Sequence, residues 1–400
     1  MPVPLYLLAL AVFAQGTSEF MLSGLVPDIA HDLGVSVPAA GSLTSAFAVG
    51  MIVGAPLTAV LAVRWSRRAA LTGFLAVFLL VHVVGALTSS YGVLLATRVV
   101  AALANAGFLA VALAAAAAMV PPGAKGRATS VLLGGTTLAC VAGVPGGALL
   151  GQFLGWRAAF WAVAALCVPA LVVVARSIPA RSGAAPVPVR TELRALRAPG
   201  LATVLALGAL VNAATFCTFT YLAPLATEVT GLAPGGVPAL LALFGLGSFV
   251  GVTAAGRLSD AHPVPVLVGG GAALAAGWVL FAAAAGNAPA VLALAFVQGA
   301  LSFAVGSTLI ARALYAASGA PGLAGGLATA ALNTGAALGP WLGGLAIGAG
   351  AGYRGVTVVS AGLVGLAFAT GGVRRAFRTR QALKPQVERD VLPTSSDPHA

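Results

Sequence analysis

Long apolar runs follow one another along the chain, separated by short segments that carry charge, proline or glycine. Each run has close to 20 residues, the length that a helix needs to cross the hydrocarbon core of a bilayer. The runs lack the alternating pattern of the roughly ten-residue strands of a transmembrane barrel. They predict twelve transmembrane helices, at residues 4–26, 40–62, 69–88, 92–119, 128–151, 156–175, 201–224, 237–256, 264–285, 289–311, 323–349 and 353–373.

The composition indicates an integral membrane protein. Of the 400 residues, 60% are hydrophobic and 8% are charged, whereas soluble domains carry about 25% charged residues. Cys140, Cys167 and Cys217 lie in apolar runs without metal-ligand spacing, so we expect buried thiols rather than disulfides or a metal site. The predicted spans hold no cluster of nucleophile, base and metal ligands, and the chain has no Walker motif. These features argue against an enzyme, a cofactor and ATP drive.

Basic residues are divided unevenly between the two sets of predicted loops. If both termini are cytoplasmic, the loops and tail on that side hold 18 of the 21 Lys and Arg residues, and the opposite side holds only Arg157 and Arg354. Cytoplasmic loops carry an excess of Lys and Arg, so we expect both termini in the cytoplasm. The net charge of +12 then reflects membrane topology, and a nucleic-acid partner is not expected.

The longest predicted cytoplasmic loop, residues 176–200, divides the chain into six spans and six. We therefore expect an all-α membrane protein with one six-helix bundle at residues 1–175 and a second at residues 201–375. The polar, proline-containing segment 376–400 is expected to be a disordered cytoplasmic tail.

An internal repeat relates the two bundles. Shifting the sequence by 197 residues aligns segments across most of each half without a gap. Because the shift crosses an even number of spans, it preserves the direction of every helix, and parallel repeats of this kind form a transport site at their interface. Matched pairs include Pro27 and Pro224, Gly34 and Gly231, Phe47 and Phe244, Gly50 and Gly247, and Arg157 and Arg354.

The chain contains four short motifs. Two lie in equivalent loops of the two halves, and two lie in the fourth and fifth spans. The loop after the second span reads AVLAVRWSRR, with Arg64, Arg67 and Arg68, and the matching loop of the second half reads GRLSD, ending at Asp260. The fourth span contains Arg98 in LLATRVVAALANAG, and the fifth reads GVPGGALLG. Together these motifs resemble the major facilitator superfamily, specifically its twelve-span drug:proton antiporter branch. The first motif departs from the family pattern because Val63 occupies its acidic position.

Segments such as AQGTSEFMLSGL, ALANAGFLAVAL and LSFAVGSTLI are most similar to the actinobacterial chloramphenicol-resistance exporters. The resemblance implies a multi-pass protein of the actinobacterial cytoplasmic membrane. We expect the protein to be surrounded by membrane lipids and to act as a monomer. It implies efflux of chloramphenicol or related small amphipathic drugs, coupled to protons. An exporter of sugars, nucleosides or other small metabolites is the alternative within the superfamily, and a channel is the alternative outside it.

Glu19 is the most informative single residue, because it interrupts an apolar run about midway between Tyr6 and Asp32. A carboxylate at the centre of a transmembrane helix costs about 2.5–3.5 kcal/mol, and ionisable residues there usually mark ion or proton paths. We expect Glu19 to bind the coupling proton; a glutamate near the interface or a structural hydrogen-bond acceptor is the other interpretation. Arg98 is expected to assist it, or to bond carbonyl groups of neighbouring helices.

Polar and aromatic side chains on other spans are candidates for drug binding. Gln15 lies one helical turn before Glu19, and the 197 shift places Asn212 and Phe216 opposite these two residues. Helix packing is the alternative role for each such residue, and His82, without an evident partner, receives no role. The substrate-binding candidates are Gln15, Asn105, Asn212, Phe216, Tyr221 and Phe47.

Glycine and proline residues in the fifth and eleventh spans are expected to allow close packing and bending during transport. The resemblance adds the charged residues of the two loop motifs to this conformational group. Its members are Arg64, Arg67, Arg68, Asp260, Gly143, Pro145, Gly147, Gly339 and Pro340.

Overall fold

The computed structural model describes residues 2–62, 65–121, 125–177, 200–258, 263–316 and 321–382, and these residues are predominantly helical. The first half contains α1 (Val3–Phe20), α2 (Val26–Asp32), α3 (Val37–Ala62), α4 (Arg67–Leu87), α5 (Tyr91–Ala118), α6 (Lys125–Leu138), α7 (Val144–Leu154) and α8 (Trp156–Ser177). The second half contains α9 (Leu201–Thr220), α10 (Val237–Leu258), α11 (Gly271–Ala284), α12 (Ala288–Ala316), α13 (Pro321–Ala346) and α14 (Gly352–Ala382). Short 3-10 or π-helical segments extend several helices, at Met21–Gly24, Ala139–Gly143, Leu225–Val229, Pro234–Gly236, Val266–Gly270 and Ile347–Ala351.

Eleven segments of the described chain are long and apolar enough to cross a membrane. The eleventh, Leu327–Thr370, has 44 residues and includes parts of both α13 and α14. Between these helices the backbone turns at Gly350 and Gly352, whose φ angles of 85° and 62° lie in the region that glycine enters most readily. Past this turn, α14 packs against α13.

The two halves are built from the same helix pairs. In the first half, α5 packs against α3 and α4, and α1 packs against α6 and α8. In the second half, α12 packs against α10, and α9 packs against α13 and α14. The halves meet along two seams, α3 with α13 and α7 with α10. Because α10 repeats α3, and α13 repeats α6 and α7, the two seams are copies of one contact.

Close contacts at glycine residues confirm the 197-residue shift for one pair of helices. A Cβ atom on Gly50 of α3 would collide with the carbonyl oxygen of Val99 on α5. A Cβ atom on Gly247 of α10 would collide in the same way with the carbonyl oxygen of Phe296 on α12. Both partners are displaced by 197 positions, so α3 and α5 correspond to α10 and α12 as the sequence predicts.

The same test gives a different shift for the first helix of each half. A Cβ atom on Gly135 would meet the carbonyl oxygen of Ala9 on α1, and a Cβ atom on Gly335 would meet the carbonyl oxygen of Ala209 on α9. Here both partners are displaced by 200 positions. The gap-free shift is therefore wrong for α1 and α9.

This correction changes which residues are equivalent. At a shift of 200, Glu19 corresponds to Phe219 rather than Phe216, and Gln15 corresponds to Thr215 rather than Asn212. Since three residues are close to one helical turn, the predicted counterparts lie on nearly the same face of α9 but one turn away. Sequence alignment alone did not detect this displacement because both shifts match many glycine and alanine residues.

The last helix extends further than the sequence predicts. Helix α14 continues to Ala382, so the predicted disordered tail, residues 376–400, begins as helix. Residues 383–400 and most of the predicted loop 176–200 lie outside the described part of the chain.

Candidate functional site

Helix α1 presents the polar residues of the site at the end that leads into α2. Close contacts hold this helix in place: a Cβ atom on Gly16 would touch the Ala139 side chain, and one on Gly143 would overlap Thr17. Small residues on both sides thus let α1 pack tightly against α6 and the π-helical segment Ala139–Gly143. Glu19 lies five residues before the Gly24 end of the apolar segment Val3–Gly24.

Arg98 is buried on α5 and is held by α1. Its Nη1 donates to Ser18 Oγ at 2.7 Å, and its Nη2 donates to the Ser18 carbonyl oxygen at 2.8 Å. The guanidinium carbon also lies 4.5 Å from the centroid of the Phe47 ring, a cation–π arrangement. Its Nε makes no hydrogen bond within the described structure. The predicted structural interpretation, in which Arg98 bonds a carbonyl of a neighbouring helix, describes this state of the protein.

Ser18 connects Arg98 to His82 on α4. The Ser18 Oγ and His82 Nε2 atoms are 2.6 Å apart, and His82 Nδ1 is 2.7 Å from the Phe78 carbonyl oxygen. A carbonyl oxygen only accepts hydrogen bonds, so Nδ1 carries a hydrogen, and a neutral ring leaves Nε2 free to accept from Ser18. His82, which has no evident partner in the sequence, thus contacts Ser18 and the Phe78 carbonyl oxygen in the structure. Arg98, Ser18 and His82 form one buried chain of hydrogen bonds.

Glu19 follows Ser18 directly but takes no part in this chain. Its side chain is partly accessible, and in the described structure it makes no hydrogen bond and no ion pair. The Glu19 and Arg98 charges are close enough to interact electrostatically without contact. The Glu19 carboxyl group therefore has unused hydrogen-bonding capacity in this structure.

The three predicted amides lie in different environments. Gln15 is buried, and neither its oxygen nor its nitrogen has a partner among the described atoms. Asn105 is also buried and its Nδ2 lies 3.5 Å from the Met51 sulfur, a weak acceptor. Asn212 donates to the Leu332 carbonyl oxygen at 2.6 Å, which ties α9 to α13. Gln15 therefore has the most unused hydrogen-bonding capacity.

An aromatic cluster adjoins Glu19 at the interface of the two halves. Phe216 contacts both Phe20 and Phe219, with ring centroids 5.8 Å and 6.2 Å apart. Phe244 contacts Phe219 at 4.7 Å and Phe303 at 6.4 Å. With Cys140 and Thr215, these five rings line one small cavity. Phe20 brings the cluster next to Glu19 along the chain.

Two predicted aromatic residues lie elsewhere. Phe47 packs beneath Arg98. Tyr221 is buried, donates its hydroxyl to the Pro340 carbonyl oxygen at 2.8 Å, and lies against Gly343 and Gly41. Its position is in the seam between α3 and α13, where it packs the two halves together.

Sequence reasoning missed Phe303, Ser18 and His82. Phe303 corresponds to Ala106 at the 197 shift, so a search for matched aromatic residues passed over it. A serine within an apolar helix is unremarkable in sequence, and nothing local indicates that Ser18 faces His82, 64 positions later.

The conformational candidates within the described residues lie at close helix contacts, within helices or at a helix start. Gly143, Gly147 and Gly339 face other helices closely: their nearest neighbours are Thr17, Met21 and the Ala213 carbonyl respectively. Pro145 is buried near the start of α7, and Pro340 lies inside α13. Arg67 and Arg68 begin α4, next to the N-cap Ser66. Arg64 and Asp260 lie outside the described residues.

An ion pair joins the end of α2 to the beginning of α8. Arg157 Nη1 donates to Asp32 Oδ2 at 2.5 Å, and its Nη2 donates to the Thr88 carbonyl oxygen at 3.1 Å. Trp156 Nε1 also donates to Asp32 Oδ2, at 3.1 Å. The hydrogen bond from Arg157, and then the one from Trp156, hold the pKa of the Asp32 carboxyl below its ordinary value.

Known proteins resemble this chain over most of its length. A family model described as Major Facilitator Superfamily matches residues 8–252 and 205–396. The chain is 60% identical over 371 residues to the chloramphenicol resistance protein of Streptomyces lividans, covering 92% of this chain and 95% of that protein. It is 37% identical over 364 residues to the inner membrane transport protein YdhP of Escherichia coli K12, covering 91% and 94%.

Solved structures show the same fold. A crystal structure of a bacterial homolog of the human lysosomal transporter Spinster aligns with a TM-score of 0.73 at 18% sequence identity, covering 94% of this chain and 97% of that one. The human organic anion transporter MFSD10 aligns with a TM-score of 0.66, also at 18% identity. The helical fold, the apolar segments and the sequence matches lead to one conclusion: this chain is a multi-pass membrane transporter that belongs to the Major Facilitator Superfamily.

Proposed function

We propose that this protein exports chloramphenicol or related small amphipathic drugs from the cytoplasm in exchange for protons, and thereby confers antibiotic resistance. The drug class is supported by the Streptomyces relative, which is named for chloramphenicol resistance and is similar over almost its whole length. The observation that carries the coupling is Glu19, a partly accessible carboxyl group without a bound partner, beside an aromatic cluster.

Glu19 is the proposed proton-binding residue, and Arg98 assists it. Ionisable residues in transmembrane segments commonly face a cavity and lie on proton paths. A protonated Glu19 is neutral, whereas an ionised Glu19 is attracted by the Arg98 cation. Alternate binding of proton and drug at neighbouring groups would couple their opposite movements.

The aromatic cluster and the free amide of Gln15 are the proposed drug-binding groups. Binding sites for small molecules are mainly apolar, with a few polar groups that fix orientation. Aromatic rings stack favourably on an aromatic drug, and Gln15 offers both a donor and an acceptor. Asn105 adds a second amide, while Asn212, Tyr221 and Phe47 support the site through the contacts described above.

The proposed architecture has twelve spans, cytoplasmic termini and two six-helix bundles that rock against each other. The turn at Gly350 and Gly352 supports counting α13 and α14 as separate spans, because a straight helix of 44 residues would extend about 66 Å. Bridging hydrogen bonds support a closable interface. Ser45 Oγ donates to the Ala337 carbonyl oxygen at 2.7 Å, and Gln152 Nε2 donates to the Pro234 carbonyl oxygen at 2.5 Å.

Exchange of a neutral drug for one proton moves net charge. The membrane potential would then contribute about 2.3 kcal/mol per 100 mV to export. Purified protein in proteoliposomes should therefore transport chloramphenicol faster when a voltage drives protons in the opposite direction at fixed pH. Transport that ignores the imposed voltage would contradict the one-proton scheme.

A resistance assay tests the whole proposal. Expression in a susceptible host should raise the chloramphenicol concentration needed to stop growth, and Glu19→Gln should remove that increase while retaining normal protein levels. Counterflow in proteoliposomes distinguishes a carrier from a channel. Folded wild-type protein that gives no resistance but exchanges nucleosides or sugars would replace the drug with the alternative substrate class.

A further inference from the structure

We propose that His82 is a positioning residue for proton coupling: it orients the Ser18 hydroxyl so that Ser18 holds Arg98 away from Glu19. This inference rests on the proposed role of Glu19. It concerns three residues that form one hydrogen-bonded chain across α1, α4 and α5, of which only Arg98 was expected from sequence to matter.

The geometry assigns a direction to every hydrogen bond in the chain. Phe78 O accepts from His82 Nδ1, so Nε2 presents its lone pair to Ser18. The Ser18 hydroxyl hydrogen points to His82, and the Ser18 oxygen lone pairs remain for Arg98. Without an acceptor at His82, the hydroxyl would rotate freely and would no longer offer a fixed acceptor to Arg98.

Arg98 is held by Ser18 in this structure. Its two terminal nitrogens are used on the Oγ and carbonyl oxygen of Ser18, at 2.7 Å and 2.8 Å. The next residue along α1 is Glu19, which Arg98 does not contact in this state. Release from Ser18 would let the guanidinium approach the Glu19 carboxylate, where a bidentate ion pair is more favourable than hydrogen bonds to neutral groups.

The surroundings leave Arg98 as the main charge that acts on both groups. Helix α4 packs against α5 and α8; α5 contributes Arg98, and α8 contributes the uncharged Phe160 ring at 5.7 Å from the His82 ring. Within the described structure, the ionisable groups that interact with Glu19 are Arg98 and the Cys140 thiol. A movement of Arg98 by one or two bond lengths is thus the change that would alter Glu19 most.

The proposal predicts the sign of a pH effect. In an exchanger, drug and proton compete, so drug affinity rises with pH as Glu19 loses its proton. An opposite charge within about 4–6 Å favours a carboxylate by roughly 1–3 pH units. His82→Leu removes the acceptor and so weakens the hydrogen bond from Arg98 Nη1 to Ser18 Oγ, while the bond from Nη2 to the Ser18 carbonyl oxygen remains. The guanidinium should then lie closer to Glu19 on average, and the midpoint of this rise should move down by up to about one pH unit.

Three further variants separate positioning from packing. Ser18→Ala should shift the midpoint in the same direction, since it removes the hydroxyl that Arg98 uses. His82→Gln retains an acceptor for Ser18 and should shift the midpoint less than His82→Leu. Phe160→Leu disturbs the same ring contact without touching a hydrogen bond, so it should leave the midpoint unchanged.

Two measurements on purified full-length protein make the outcome decisive. Chloramphenicol affinity is measured by titration calorimetry from pH 5 to 9, and Glu19 protonation by difference infrared spectroscopy, with Glu19→Gln identifying its carboxyl band. Unchanged infrared midpoints in both folded His82→Leu and folded Ser18→Ala would overturn the inference. If Glu19 titrates and shifts as expected while chloramphenicol affinity ignores pH, the proposed coupling fails and the positioning role stands. If His82→Leu does not fold, Ser18→Ala and His82→Gln decide the question.

Discussion

Helices α1 and α9 begin the two halves and make matching contacts with α6 and α13, yet they carry opposite chemistry at the site. Helix α1 places Ser18 and Glu19 near the cation of α5. Helix α9 has Thr218 and Phe219 at the structurally equivalent positions. The Thr218 hydroxyl lies 2.7 Å from Ser360 Oγ on α14, so it serves a contact between helices instead of holding a charge.

Helices α3 and α10, the second membrane-length helix of each half, carry equivalent phenylalanines with different partners. Phe47 on α3 lies under the Arg98 guanidinium at 4.5 Å. Phe244, its counterpart on α10, lies 4.7 Å from the Phe219 ring. Arg98 itself corresponds to Ala295, so no cation occupies the equivalent position beside Phe244. The comparison teaches that a repeated backbone can divide two tasks. We assign proton binding to the first half and most of the aromatic drug-binding surface to the second, with Phe20 and Gln15 contributed by the first half.

The largest expected effect comes from the equivalent pair Glu19 and Phe219. Glu19→Gln should abolish drug accumulation against a gradient while saturable downhill exchange continues, because the amide cannot take up and release the proton. Phe219→Leu should retain accumulation with weaker apparent affinity. Drug flux and proton flux are measured together in proteoliposomes with an imposed pH gradient. Coupled accumulation by Glu19→Gln would remove the division of tasks between the halves.

A Cβ atom added at equivalent glycine residues should destabilise both halves, and more strongly the first. A Cβ atom on Gly143 would overlap Thr17, whereas one on Gly343 would crowd Tyr221 and Cys217, the equivalent of Thr17 at the 200 shift, less closely. Each change to alanine should lower the free energy of unfolding by about 1–3 kcal/mol, the usual effect of overpacking. Thermal unfolding in detergent checks this.

Gly146 provides a matched control within the same motif, because a Cβ atom there would meet open space. Gly146→Ala should therefore leave the unfolding temperature unchanged or raise it slightly, as alanine favours the helix. Equal losses for Gly143→Ala and Gly146→Ala would show that helix flexibility, and not the contact with α1, makes these glycines necessary.

The equivalent pair Phe47 and Phe244 should give effects of different kinds. Phe244→Leu removes a ring from the aromatic cluster and should weaken chloramphenicol binding by about 0.5–1.5 kcal/mol, a change of ~2- to 13-fold in Kd. Phe47→Leu removes the ring beneath Arg98 and should mainly change the pH dependence of binding. Titration calorimetry at several pH values distinguishes the two results. Identical effects of both variants would mean that the two rings serve one site.

The smallest expected effect concerns the surface ion pair. Asp32→Asn should lower the free energy of unfolding by about 0.2–1 kcal/mol, because the pair with Arg157 is partly exposed to solvent. In the second half Val229 stands where the shift places Asp32, and Arg354 makes no ion pair among the described residues. Arg354→Ala should therefore have a smaller effect than Arg157→Ala.

The pH dependence of this pair has a defined sign. The pKa of Asp32 is lowered in the folded protein, chiefly by the hydrogen bond from Arg157. Its contribution to stability is thus present above the ordinary aspartate pKa of about 3.9 and is lost as the pH falls through the lowered value. Unfolding measured from pH 7 to pH 3 should show the wild type approaching Asp32→Asn at the acid end.

Much of the fold was predictable because transmembrane helices can be recognised in a sequence by their length and apolar composition. The predicted span at 92–119 is α5 (Tyr91–Ala118), and the one at 69–88 is α4 (Arg67–Leu87). The bilayer demands about 20 apolar residues in each crossing, whatever they pack against. Glu19 and Arg98 were recognisable for the same reason, since any charge in such a run is conspicuous.

Partners within the site were not predictable in this way. The contact between Ser18 and His82, and the cluster that joins Phe303 to Phe244, depend on which faces of distant helices meet. In an apolar environment the two faces of a helix have similar composition, so periodicity does not reveal the direction in which a serine or histidine points. The 200-residue shift of α1 was hidden for a related reason, because small residues match at many offsets.

The sequence by itself determined the membrane class, the helical segments, the repeat and the two unusual charges, because these follow from the cost of placing polar groups in hydrocarbon. Only the tertiary structure decided what the charges contact. It separates Glu19 from Arg98, gives Arg98 to Ser18, and places Phe219 where the first half has its carboxylate. Those relations depend on distances between helices far apart along the chain, which packing sets and local sequence does not encode.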